Sequence, residues 1–289
     1  MKVKSFRFTV AISAYNIENY VGRAIKSVLE QDFSDYEIVI VDDCSTDNTV
    51  EKIRELHNDK IRLYKTNHNT GTAGGTRNVA IEKAEGEYII FLDGDDTLYD
   101  NQTLSKIDKT IGNDNPDMIY LGFEDVGLEC KKRISTEENS SKKERLLCDV
   151  TFSVSSRCWN RNFLLENDMK FIEGMYYEDE IYCLKATILA KNTKYGDYPI
   201  FKYYRNREGS VMSSPSIKKC SDWYRMLAEV TDLYKMTPDE YKPYLLSFIK
   251  NENDTIPKRI AAILKSYENG GEIKILPKRN YEYKNFFEE

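Results

Sequence analysis

Two hydrophobic patterns alternate along the first part of the chain. Short, nearly continuous apolar runs occur at Phe8-Thr-Val-Ala-Ile-Ser-Ala14, Glu37-Ile-Val-Ile-Val41, Ile61-Arg-Leu-Tyr64 and Tyr88-Ile-Ile-Phe-Leu92. Each is too short for a free-standing helix and rich in β-branched or aromatic residues, so each reads as a strand, those with unbroken runs being buried on both faces of a parallel sheet. Between them the period lengthens. Ile17, Val21, Ile25, Val28 and Leu29 fall on one helical stripe from about Glu18 to Gln31, and Val50, Ile53 and Leu56 form a second. Asn16 is placed to cap the first helix, and Ser45 or Thr46 the next. A Gly/Thr/Asn-rich loop then leads into a helix over Thr76 to Ala84. The order β-α-β-α-β-α-β predicts a parallel sheet with right-handed crossovers.

Later stretches read differently. Cys130 to Arg145 is polar and highly charged, as an exposed loop or surface insertion would be. From Lys218 onward the pattern is helical: Trp223, Met226, Leu227, Val230 and Leu233 form one stripe, and Tyr244, Leu245, Phe248 and Ile249 another. Ile256-Pro257 predicts a break before Ile260, Ile263 and Leu264. The expected organisation is an α/β domain over residues 1–214, with halves of about 1–100 and 101–214, followed by a helical extension over 215–289 that packs on it.

Composition narrows the function classes. With 289 residues, 40% hydrophobic and 12% aromatic, the chain can build a packed core. A net charge of −6 argues against a general nucleic-acid binder. No apolar stretch approaches a membrane span, and Met1-Lys-Val-Lys-Ser-Phe-Arg7 lacks the apolar segment of a signal peptide, so a soluble cytoplasmic protein is expected. The six cysteines include no Cys-x-x-Cys pair and only His57 and His68 accompany them, which predicts reduced, packing thiols and no zinc site.

The chemistry gathers where strands should end. Asp93-Gly94-Asp95-Asp96 follows the fourth strand and Asp42-Asp43 the second, on the carboxyl edge where open α/β sheets bind ligands. Crowded carboxylates are costly without a positive partner, and a hard divalent cation, Mg²⁺ or Mn²⁺, suits their oxygens and can bridge to a phosphate. Between the clusters, Asn69 to Asn78 offers glycines and Arg77 at a helix start, a place that favours anions. The alternative is a flexible loop whose Arg77 pairs with a nearby carboxylate. Neither a P-loop nor a dinucleotide fingerprint is present.

Val10 to Asn16, Ile38 to Asp47, Gly71 to Asn78, Phe91 to Asp96 and Glu173-Gly-Met-Tyr-Tyr-Glu178-Asp179 together resemble, in order and spacing, the family 2 glycosyltransferases with the GT-A fold. The resemblance runs from Phe8 to about Ser214. It implies a doubly wound, mostly parallel sheet and transfer of a sugar from a UDP-sugar, with inversion, to a glycan or lipid-linked saccharide. It further implies Asp43 as the contact to uracil, Tyr15 as its stacking platform and Asp42 as support for that edge. Arg77 would meet the diphosphate or nucleoside, Asp93 the ribose, with Gly94 between them and the metal, and Asp95 with Asp96 would hold Mn²⁺ or Mg²⁺. Asp179, with Glu178 beside it, matches the general base that inversion requires. Trp159 falls where relatives carry an aromatic near the sugar. Tyr203 to Met212 resembles the loop that closes over the donor, with Arg207 reaching phosphate and Gly209 as a hinge. The Tyr and Lys content of the extension suits plain packing, a homodimer contact, or peripheral attachment to a membrane that carries the acceptor.

Two features depart from the family pattern. The Gly71 loop is one residue longer before Arg77-Asn78, with Thr76 where Ala is common, and no histidine follows His68 to serve as a late metal ligand. Two other roles compete: a sugar nucleotidyltransferase, for which Phe8 to Asn16 lacks the glycine-rich, lysine-bearing loop, and a catalytically silent nucleotide-sugar-binding subunit, against which the presence of Asp179 weighs.

Overall fold

The computed structural model describes residues 6–126, 131–133, 153–205 and 216–268, with the side chains of 131–133 and 262–268 left out. Its N-terminal half follows the pattern of the sequence. Strands β1 (Phe6–Ala14), β2 (Tyr36–Asp42), β3 (Ile61–Lys65) and β4 (Gly86–Asp93) alternate with helices α1 (Val21–Leu29), α2 (Thr49–Arg54) and α3 (Ala73–Lys83). The four strands pair in parallel in the order β3-β2-β1-β4. The chain winds outward from β1 to β3 and then crosses back to β4 on the other side. The crevice at the carboxyl ends of β1 and β4 is therefore a topological switch point.

Beyond β4 strand directions mix. After β5 (Thr97–Leu98), α4 (Thr103–Ile111), β6 (Met118–Val126) and β7 (Lys131–Arg133) come β8 (Arg157–Asn160), α5 (Arg161–Glu166), α6 (Glu178–Leu189) and β9 (Thr193–Tyr204). Strand β8 inserts between β4 and β6, antiparallel to both; β9 runs parallel to β6, and β5 caps the far edge antiparallel to β9. Apolar side chains from alternate positions of the central strands fill two cores, one on each face of the sheet.

The expected caps do different work. Helix α1 begins after Tyr20 and α2 after Asn48, neither with a side-chain cap. Asn16 instead sits at φ +47° and accepts the Thr46 N–H through Oδ1 at 2.8 Å, while its own N–H donates to Ser45 Oγ at 3.0 Å. Ile17 N–H to Thr49 Oγ1 (2.9 Å) and Glu18 N–H to Asp47 (3.0 Å) continue the seam. These polar residues staple the β1–α1 and β2–α2 loops side by side, because both emerge from neighbouring parallel strands at one edge.

The C-terminal helices are α7 (Ile217–Met236) and α8 (Lys242–Glu268). Both stripes pack inward: Trp223, Met226, Val230, Leu245 and Phe248 are fully buried. The expected break at Pro257 is absent, since α8 runs straight through it. Proline removes one helical N–H, at a cost of about 3 kcal/mol, and burial of the neighbouring Ile256 against Trp223 helps offset it. Among the described residues no helix is long and apolar enough to cross a membrane.

Candidate active site

Sheet register brings the acidic clusters together. Ser13 of β1 lies beside Asp93 of β4, and Ala14 beside Asp42 of β2. Two further backbone bonds extend the pairing into the loops: Asp43 N–H to the Ala14 carbonyl at 2.8 Å and Gly94 N–H to the Ser13 carbonyl at 3.0 Å. Only glycine fits at 94, where a Cβ would stand 2.8 Å from the Ser13 oxygen and 2.4 Å from Ile17 Cδ1. The small residue lets the Asp-Gly-Asp turn fold flat against β1.

On the β2 side, Asp42 is fully buried and its carboxylate accepts the Ser45 N–H at 3.1 and 3.3 Å, which holds the turn. Asp43 is also buried. It accepts the Thr66 hydroxyl at 2.9 Å and both the N–H and hydroxyl of Thr70, at 2.9 to 3.1 Å. Tyr15 directly follows β1, with 47% of its surface exposed. Thr70, in the loop before α3, thus folds over Asp43, and its place in a Gly/Thr-rich segment is its only signal in the sequence.

The glycines of this segment serve close packing. Loop residue Thr70 lies 2.5 to 2.7 Å from where a Cβ of Gly75 would be, and a Cβ at Gly74 would stand 3.1 to 3.3 Å from Ile172, Phe171 and Glu178. Helix α3 therefore lies hard against the segment that precedes α6. Asn78 fastens it there: its amide donates to the Phe171 carbonyl at 2.9 Å and accepts the Phe171 N–H at 2.8 Å. Thr76, where the family pattern prefers Ala, places its hydroxyl 2.8 Å from Ser13 Oγ and from the Ala73 carbonyl.

Arg77 joins the two halves of the site. Its guanidinium donates to Glu178 Oε1 at 2.9 Å and to Asp93 Oδ1 at 3.0 Å, and only 6% of the residue is exposed. Burial works against its charge, but Asp93, Glu178 and Asp179 outweigh it and raise its pKa. The cation at the start of α3 thus does pair with carboxylates, and those carboxylates come from both remaining motifs. Glu178 is pushed up from the usual range by burial, against the pull of Arg77. Half-buried Asp179 is raised well above the usual carboxylate range, first by burial and then by Glu178 and Glu180. A carboxylate so disfavoured as an anion is a stronger base when ionised.

The acidic turn divides its labour. Asp96 is 1% exposed, lies beneath the turn and accepts the Tyr204 N–H at 2.9 Å, while its other oxygen has no partner among the described residues. Burial, then Asp93 and Asp95, push its pKa up to about 9. Through this bond Asp96 anchors the end of β9 to the acidic turn. Arg23 joins the acidic turn to its neighbours. It stacks on Tyr204 with 3.7 Å between guanidinium carbon and ring centroid and donates to the Asp95 carbonyl, tying α1, the acidic turn and β9 together. Among the described residues no three His, Cys, Asp or Glu side chains converge to hold a metal by themselves. The oxygen-only donors do fit a hard cation whose other ligands come from a diphosphate and water.

Trp159 differs from the expectation of an aromatic beside the sugar. Paired between β4 and β6 in the middle of the sheet, it is fully buried; its Nε1 donates to the Val154 carbonyl at 3.0 Å and its ring meets Tyr182 edge-on at 5.3 Å. It is a core residue and no sugar platform. Arg207 and Gly209 lie outside the described residues.

Comparison with known proteins bears on the same elements. The family model "Glycosyl transferase family 2" matches residues 9–168, which include every acidic motif except Glu178-Asp179. A poly(ribitol-phosphate) beta-N-acetylglucosaminyltransferase, TarS, of Staphylococcus aureus is 30% identical over 76% of this chain and 39% of its own length. This chain therefore spans about two-fifths of that relative. The Escherichia coli UDP-Glc:alpha-D-GlcNAc-diphosphoundecaprenol beta-1,3-glucosyltransferase WfaP is 30% identical over 71% of this chain and 80% of its own. A crystal structure of S. aureus TarS in complex with UDP-GlcNAc superposes with a TM-score of 0.70 at 26% identity, covering 85% of this chain and 72% of that one. The mixed sheet with its parallel N-terminal half is accordingly the GT-A fold, and the chain belongs to glycosyl transferase family 2.

Proposed function

We propose that this glycosyltransferase moves a sugar, with inversion, from a UDP-sugar to a hydroxyl of a glycan or lipid-linked saccharide in bacterial surface polysaccharide synthesis. The observation that carries this reading is the buried Arg77 bridge from Asp93 to Glu178. It draws the acidic turn after β4 and the acidic pair at the start of α6 to one crevice, so donor and base stand together.

In this reading Tyr15 and Asp43 receive the uracil, and Asp43 exchanges some of its bonds to Thr70 for the base. Asp93 faces the ribose, and Arg77 keeps it oriented. Asp95 would hold Mn²⁺ or Mg²⁺, which when bound would offset charge growing on the diphosphate leaving group. Asp179 removes the proton of the acceptor hydroxyl as it attacks the anomeric carbon from the face opposite the diphosphate. The relatives' names and the bound ligand of TarS support UDP-GlcNAc and UDP-Glc as the first donors to try.

The test couples binding to turnover. Thermal unfolding is followed with UDP, GDP, CDP and dTDP, each with Mn²⁺ or with EDTA, because a ligand of the folded state raises its stability. A shift specific to UDP with Mn²⁺ is expected, retained by Asp179→Asn, whose transfer activity should fall by about 10²-fold or more. Equal shifts in EDTA would remove the metal from the reading. Unchanged turnover in Asp179→Asn would remove the base, and no shift with any nucleotide would point to the silent role.

A further inference from the structure

Three side chains on one face of α7 grip the segment that launches α6. The Lys218 ammonium donates to the Gly174 carbonyl and pairs with Asp222. The Asp222 carboxylate in turn accepts the Tyr176 N–H at 3.0 Å. The Trp223 indole stacks on the Tyr177 ring, 5.2 Å between centroids and 14° between planes. Positions 218 and 222 are one turn apart and 223 adjoins them, so the three act as a single surface.

The gripped segment has an uncommon backbone. Gly174 sits at φ +66° and Tyr177 at φ +68°, both left-handed. Glycine adopts that region freely, whereas a tyrosine needs something to hold it there. Tyr177 is the N-cap of α6 and makes no side-chain cap bond, its carbonyl accepting the Glu180 N–H. The residues that follow are Glu178 and Asp179. Were Tyr177 to relax to ordinary helical dihedrals, every atom beyond it would be re-aimed, and Glu178 would leave Arg77.

Trp223 is well placed to impose the conformation. It is 1% exposed, with Ile256 packed against it and the Arg259 guanidinium over its ring at 5.5 Å. Its buried Nε1–H has no partner among the described residues. The position therefore uses the flat ring and leaves the indole's hydrogen-bonding capacity idle.

We infer that Lys218, Asp222 and Trp223 form a positioning surface that keeps Tyr177 left-handed and thereby aims Glu178 and Asp179 into the donor crevice. The C-terminal helices are then part of the catalytic apparatus at one remove, coupling α7 and α8 to the base. This rests on the reading of Asp179 as the base, and its test separates the two.

Trp223→Ala, Trp223→Phe and Asp222→Ala are made in the full chain, with Asp179→Asn beside them. Amide hydrogen exchange is read at Tyr176 and at Glu180, whose N–H donates to the Tyr177 carbonyl at 3.2 Å. UDP affinity and UDP release from UDP-GlcNAc and UDP-Glc are measured on the same samples. Trp223→Ala and Asp222→Ala should exchange at least about ten-fold faster at both amides and lose about ten-fold or more in kcat, with UDP affinity within about two-fold of the parent. Trp223→Phe keeps a stacked ring and should match the parent in all three. Parent-like exchange in folded Trp223→Ala or Asp222→Ala overturns the inference, as does a Phe variant as defective as the Ala variant. If Trp223→Ala does not fold, Asp222→Ala decides. Turnover surviving in Asp179→Asn sinks the base reading alone, since exchange still reports whether α7 holds the segment.

Discussion

Replacing Arg77 with Met is the sharpest probe of how the site is held. Methionine keeps an unbranched stem against Phe171, whose ring centre lies 5.5 Å from the guanidinium carbon, but deletes the charge. The Glu178 side chain is only 9% exposed and would be left without its cation, whereas Asp93 at 37% can turn to water. Removing one partner of a buried pair costs about 3–5 kcal/mol, and nearly all of it should fall on the Glu178 arm. The Arg77 Nε has no partner among the described residues, and losing that buried donor offsets about 1 kcal/mol or more. The net expectation is a destabilisation of about 2–4 kcal/mol in equilibrium urea unfolding near neutral pH. The pH dependence has a definite sign. Burial already raises the Glu178 pKa above 4.5 while Arg77 pulls it down, so without Arg77 the folded-state value climbs further. The folded variant then keeps a proton the unfolded chain has released, and its stability falls as pH rises through that window. The deficit should be larger near pH 7.5 than near pH 5, and Glu178→Gln in the same chain should recover at least about half of it. A deficit under about 1 kcal/mol, or one that is equal at the two pH values, would refute the claim that Glu178 depends on Arg77.

Three further outcomes follow from the same geometry. Because the Asp179 pKa is raised by burial and by its acidic neighbours, and a general base works only when ionised, the acid limb of kcat should lie well above the ordinary carboxylate range; a limb near pH 4 would contradict this. Gly94→Ala places a methyl 2.8 Å from a backbone oxygen that cannot move alone, so unfolding and nucleotide thermal-shift measurements should show a loss of about 1–3 kcal/mol and weakened donor binding. Trp159→Phe removes the bond to the Val154 carbonyl and should cost about 1–2 kcal/mol of stability with no change in KM for donor; a donor KM effect without a stability loss would return Trp159 to the sugar site.

Element order and the location of the chemistry were legible because they rest on local pattern. Continuous apolar runs can be satisfied only as buried strands, their alternation with amphipathic stretches dictates parallel pairing, and Asp42-Asp43 and Asp93 to Asp96 must then share the carboxyl edge. Wherever a residue's partner lies far along the chain, the pattern is silent. Asn16 and Ser45 satisfy any helix-capping rule, yet neighbouring strands place them within reach of each other, and they bond across the gap. Trp159 and Asp96 carry groups suited to ligands, but β8 sits mid-sheet and β9 closes over the acidic turn, so both are buried.

The sequence alone therefore settles which residue types stand at the ends of β1, β2 and β4, since hydrophobic periodicity is a property of near neighbours. Whether those side chains meet a ligand or one another is decided by contacts that span the chain: Arg77 to Glu178, Arg23 to Tyr204 and Trp223 to Tyr177. Such pairs depend on loop closure and on which loops share an edge, and no local spacing encodes them.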